Sequence, residues 1–133
     1  MRQLLFWAWL SVVVVLSVLP DAEGAAMSLK VTDSGFFLHV LAYCVGTFLC
    51  CYAFAGSAGR GTGGWWGAHG TTRQVLMCGG SIFLLGTLLE CLQLVVPERS
   101  FNITDIAANL CGIVLYGIAF SVVVTVRAGK DRQ

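Results

Sequence analysis

No Asp, Glu, Lys or Arg occurs between Ser34 and Gly59, and none occurs between Ile106 and Val126. A helix rises about 1.5 Å per residue, so roughly 20 residues cover the hydrocarbon core of a bilayer. Both uncharged runs are long enough. A third apolar run, residues 75–96, is broken only by Glu90. A fourth, from Leu4 to Leu19, follows Arg2 and stops at Pro20. Inside a bilayer every backbone N–H and C=O needs a partner within the chain, which a helix supplies for itself. The composition agrees: 57% of residues are hydrophobic and 11% are charged, against about 25% charged in soluble domains. The expected architecture is all-α: an integral membrane four-helix transmembrane bundle, one domain over residues 1–133, with spans at about 4–20, 35–57, 74–96 and 105–126.

The first run has two readings. Arg2, a 16-residue apolar stretch and the small residues Ala22 to Ala26 also describe a secretory signal peptide. Trp7 and Trp9 fit an interfacial belt and favour a retained span. Residues 21–33 form an acidic linker, and Asp33 or Ser34 can cap the second helix. Residues 56–70 are glycine-rich but lack the P-loop pattern, so they read as a flexible connection with Trp65 and Trp66 at the interface. The six cysteines lie in apolar runs without metal-site spacing and read as small buried hydrophobes.

Polar residues within or beside the apolar runs concentrate between Glu90 and Gly112. A carboxylate at Glu90 costs several kcal/mol unless neutralised or partnered. Gln93 lies three residues on, sharing its helical face. Pro97 stops that helix, a short polar turn follows, and Asp105, Asn109 and Gly112 mark one face of the next. Such a turn makes the third and fourth helices antiparallel neighbours. On the second helix, His39, Tyr43, Gly46 and Cys50 share a face. On the third, Gly79 and Gly86 allow close approach of a neighbouring backbone. Asn102 with Asp105 reads as a helix start, a variant of the capping box.

Charge placement gives the orientation. With four spans and a cytoplasmic N-terminus, the inner segments hold Arg2, Arg60, Arg73, Arg127, Lys130 and Arg132, and the outer ones only Lys30 and Arg99. That distribution follows the positive-inside rule. It puts Asp33, Arg99 and Asp105 on the outer face, with His39, Glu90, Gln93 and Asn109 within about three turns of it.

The pattern Glu90-x-x-Gln93-x-x-x-Pro97-x-Arg99-Ser100-Phe101-x-Ile103-x-Asp105-x-x-x-Asn109-x-x-Gly112 resembles the signature of VanZ-like membrane proteins, a family named for an accessory factor of resistance to the glycopeptide antibiotic teicoplanin. Asp33 and His39-x-x-x-Tyr43 are similar to the family's pattern in the second span. The end of the first run also resembles the family, whose first span is retained. Ser34 stands where the family often has lysine, and Glu98 where glycine is common. The resemblance implies a bacterial multi-pass protein of the inner (cytoplasmic) membrane with both termini cytoplasmic.

Two function classes follow. The first is a polar site at the outer leaflet that binds or modifies an amphiphile, such as a membrane lipid or lipid-linked envelope precursor. Glu90, His39 and Asp105 are then the acid–base candidates. Arg99 would grip an anionic group through its guanidinium fork, and Gln93, Asn109, Asp33 and Tyr43 would orient the ligand. The second is a non-catalytic accessory module in which these residues clasp helices together. The sequence has no serine-nucleophile motif, zinc ligand set or cofactor fingerprint, so no metal, cofactor or nucleic-acid partner is expected. Reporter fusions after Asp33 and after Arg99 should score as external, and fusions at Arg60 and after Arg127 as cytoplasmic. A cytoplasmic score at Arg99 would reverse the orientation.

Overall fold

The computed structural model describes residues 1–18, 34–54, 72–96 and 101–130. They form four helices: α1 (Arg2–Val18), α2 (Ser34–Phe54), α3 (Thr72–Gln93) and α4 (Ile103–Lys130). There is no strand among the described residues. α2, α3 and α4 are long and apolar enough to cross a membrane, and α1 is a shorter apolar helix. The protein is an all-α, multi-pass membrane bundle.

The burial pattern fits a lipid solvent. Buried side chains include Thr47, Glu90, Gln93 and Asn109, whereas Leu4, Phe37, Leu41, Leu84, Leu88 and Val122 are exposed. In water such a surface would aggregate; among acyl chains it is at no disadvantage. Helix hydroxyls are satisfied locally: Ser11, Ser17, Thr47, Thr87, Ser121 and Thr125 each donate to the carbonyl four residues earlier. They therefore need no water.

α2 is the central helix, touching all three others, and its interface with α4 is the most extensive. The contacts fix the directions. Phe6 packs on Phe54, so α1 and α2 are antiparallel. The Gln74 amide donates to the Cys51 carbonyl at 3.1 Å, so α2 and α3 are antiparallel too. His39 meets Asn109 and Phe48 meets Tyr116, so α2 and α4 run parallel. Arg2, Arg73, Arg127 and Lys130 consequently share one end of the bundle, and Glu90 and Asp105 lie at the other.

Glycine sets the closest approaches. A Cβ on Gly112 would strike the backbone of α2, meeting the Val40 carbonyl oxygen and, at 2.9 Å, the Cys44 nitrogen. A Cβ on Gly86 would meet the Tyr43 ring at 2.5 Å, and one on Gly79 would meet Ile113 at 2.9 Å. Trp9 lies against Gly46, and its indole N–H donates to the Ala42 carbonyl at 3.1 Å. Trp9 is thus a packing residue of the α1–α2 contact and not a belt residue, because Gly46 leaves a slot for its ring. Trp7 is exposed.

Two helix ends differ from the sequence expectation. α3 stops at Gln93, and residues 94–96 tighten into a turn in which each N–H reaches back three residues. Pro97, with no N–H and a ring that disfavours α geometry in the residue before it, explains the early exit. α4 continues to Lys130, past the last uncharged residue. Charge marks where the membrane ends, not where a helix must. Arg127 and Lys130 in the last turn suit the helix dipole. Cys50, Cys51 and Cys78 are buried as expected, but Cys91 and Cys111 are exposed on helix surfaces and all six resolve as free thiols.

The Gly112 contact gives a direct test. Gly112→Ala should lower the thermal stability of the detergent-solubilised protein by about 1–3 kcal/mol through overpacking against rigid backbone. Gly117→Ala, where a Cβ meets nothing within 4 Å, should be neutral or slightly stabilising.

Candidate functional site

Three helices bring their polar residues together at the end of the bundle formed by the start of α2, the end of α3 and the start of α4. The start of α4 is built by Asn102, whose Oδ1 accepts the Thr104 N–H at 3.0 Å and the Thr104 hydroxyl at 2.7 Å. This is N-cap geometry. The Asn102 amide also donates to Asp105 Oδ1 at 3.4 Å. Asp105 is therefore held at the third position of the helix, where a carboxylate favours the N-terminal dipole. One turn later, Asn109 is fully buried, seated by the Gly112 approach.

His39 reaches Asn109 from α2: its Nδ1–H donates to Asn109 Oδ1 at 2.9 Å. Tyr43 stacks on the imidazole at 6.2 Å with ring planes 5° apart. The Tyr43 ring sits on Gly86, one turn before Glu90. Glu90 is 2% exposed, and a ligating atom of each of His39, Glu90 and Asp105 lies within 4.8 Å of the others. The Asn109 NH₂ group is buried and has no acceptor among the described residues.

His39, Tyr43, Glu90, Asp105 and Asn109 are thus brought together. Gln93 is buried nearby but serves another contact, donating to the Ser17 carbonyl of α1 at 3.4 Å. Arg99 and Asp33 lie outside the described residues. The acid–base candidates His39, Glu90 and Asp105 come within 4.8 Å of one another, and His39 is hydrogen-bonded to Asn109. The sequence reading assigned no metal ligands, whereas one His and two carboxylates now cluster. Their spacing in sequence carries no such signal, because each donor comes from a different helix.

A lateral apolar groove of about 580 Å³ runs between α3 and α4. Leu110 and Phe83 lie at its polar end and Thr72 and Val122 toward the other, with Gly79, Gly80 and Gly117 leaving the space. Comparison with known proteins finds no matching family model, curated protein or solved structure.

The His39–Asn109 bond should be measurable as a coupling. In a double-mutant cycle of His39→Phe and Asn109→Leu, followed by thermal unfolding in detergent, the expected interaction energy is about 0.5–2 kcal/mol. Strict additivity would mean the two side chains do not meet.

Proposed function

We propose that the chain is a VanZ-like protein of the bacterial cytoplasmic membrane, with both termini inside, whose polar cluster holds the headgroup of an amphiphilic envelope component at the outer leaflet. The observation that carries this reading is the convergence of His39, Glu90, Asp105 and Asn109 at one end of an otherwise apolar bundle. Ionisable groups at membrane depth are costly and generally mark function. The four cationic residues at the opposite end support the orientation. The groove between α3 and α4 supports an amphiphile, since its lining of apolar and small residues suits an acyl or polyprenyl chain. Arg99, six residues before Asp105, supplies a guanidinium for phosphate or carboxylate. The family resemblance links such a site to the response to teicoplanin, through the envelope components on which glycopeptides act.

A second reading has its own support. The bonds of His39 to Asn109 and of Gln93 to Ser17 tie α2 to α4 and α3 to α1, as a non-catalytic accessory module with an interhelical clasp requires.

Native mass spectrometry with a polyprenyl phosphate and the matching uncharged polyprenol separates these readings. For a headgroup site the phosphate should be retained preferentially. Arg99→Ala should weaken it by about tenfold, or 1.4 kcal/mol, and Arg73→Ala, at the far end, should not. Equal retention of both lipids removes the headgroup reading. On the clasp reading, Glu90→Gln keeps the melting temperature, Glu90→Leu lowers it, and neither changes lipid retention.

A further inference from the structure

We infer that His39, Glu90 and Asp105 form a binding site for one divalent metal ion, with Asn109 as its positioning residue. The donor set is one imidazole nitrogen and two carboxylates, drawn from α2, α3 and α4. At a metal–ligand distance of roughly 2.1 Å, two donors on one ion are at most about 4.2 Å apart. A cluster already within 4.8 Å closes on an ion by small side-chain rotations. Glu90 is 2% exposed and the other two are half-buried, so this is not a solvated acidic patch.

The hydrogen bond behind the imidazole is an independent observation. A metal-binding histidine ordinarily gives its other N–H to an oxygen acceptor, which orients the ring and raises its basicity. His39 does this through Nδ1–H to Asn109 Oδ1 at 2.9 Å, so in the proposed site the ion takes the other ring nitrogen. The Asn109 NH₂ is fully buried and has no acceptor among the described residues. It is a spare donor next to the cluster, suited to an oxygen carried by the ion: water, or a phosphate oxygen of a headgroup.

Charge also favours a cation. A dication would offset carboxylate charge and leave coordination positions open for an oxygen of the headgroup. Mixed nitrogen and oxygen ligands point to Zn²⁺, Mn²⁺ or Fe²⁺ over Ca²⁺ or Mg²⁺. The proposed ion would bridge protein and phosphate. That bridging role rests on the headgroup reading above; the metal site does not.

The test uses the full-length protein in detergent, stripped with EDTA and titrated with Co²⁺. Cobalt reports its own ligands: thiolate ligation adds a strong near-ultraviolet charge-transfer band that nitrogen and oxygen ligation lack. This separates the site from Cys50, Cys51 and Cys78, which approach one another between α2 and α3. The expected result is one Co²⁺ per chain, no thiolate band and a raised melting temperature. Glu90→Gln and Asp105→Asn, which keep side-chain shape, should each weaken binding tenfold or more while retaining the helical circular-dichroism signal. Asn109→Ala should weaken it less and shift the visible cobalt spectrum, as a positioning residue does. No bound Co²⁺ in the wild type, a thiolate band, or undiminished binding in both carboxylate variants overturns the inference. Polyprenyl phosphate added to stripped and to metal-loaded protein separates the two proposals. Retention without metal removes the bridging role and leaves the headgroup reading standing. Stoichiometric metal without lipid retention removes the headgroup reading and leaves the metal site.

Discussion

At Gly112 the backbone of α4 comes against the Val40 carbonyl and the Cys44 nitrogen of α2. No side chain larger than hydrogen fits there, and the polar end of the bundle depends on it. Asn109 lies one turn before Gly112 on the same face, so the close approach presses its amide into the α2–α4 interface. His39 lies one residue before Val40, within reach of that amide. A wider crossing would deprive the buried Asn109 oxygen of its hydrogen bond, at a cost of about 1–3 kcal/mol. Close packing and polar pairing therefore reinforce each other. This matters more in a bilayer than in water, because apolar burial does little to hold helices together there.

The same logic accounts for the sharing of tasks among polar residues. Hydroxyls bond their own helix and commit it to no neighbour. Amides reach across: Gln74 to α2, Gln93 to α1, Asn109 to α2. Each amide fixes the rotation of two helices about their axes, which a smooth apolar contact would leave loose. A carboxylate is a poor choice for a packing contact in a low-dielectric interior, since breaking or charging it is expensive.

Much of this was legible in the sequence. Uncharged length identified α2 and α4, and fourfold spacing put Ala108, Gly112 and Tyr116 on one face, all of them buried in the bundle. The cap at Asn102 followed from its side-chain chemistry and the Asp three residues later. What escaped was anything set by the relative rotation of two helices. The His39–Asn109 bond joins α2 and α4, whose relative rotation the sequence does not give. Trp9 resembled a belt residue because its slot, Gly46, lies on another helix. The sequence grouped His39, Glu90 and Asp105 at one end of the bundle, but not the spacing of their donor atoms, because they are 51 residues apart on α2 and α3 and 15 apart on α3 and α4.

The position of the cluster along the bundle sets what it can do. Asp105 is in the first turn of α4 and Glu90 in the last turn of α3, so both carboxylates lie near one end of the bundle. Side chains there can exchange ligands with the headgroup region, while Asn109, Tyr43 and Gly86 close the floor on the bilayer side. Below that floor the groove between α3 and α4 is lined by apolar and small residues. A polar site above an apolar groove matches the two halves of an amphiphile. A clasp would need the polar floor but has no use for the groove, and a soluble ligand would need the site but not the lipid-facing path. The combination is what directs the functional reading toward a lipid-linked ligand.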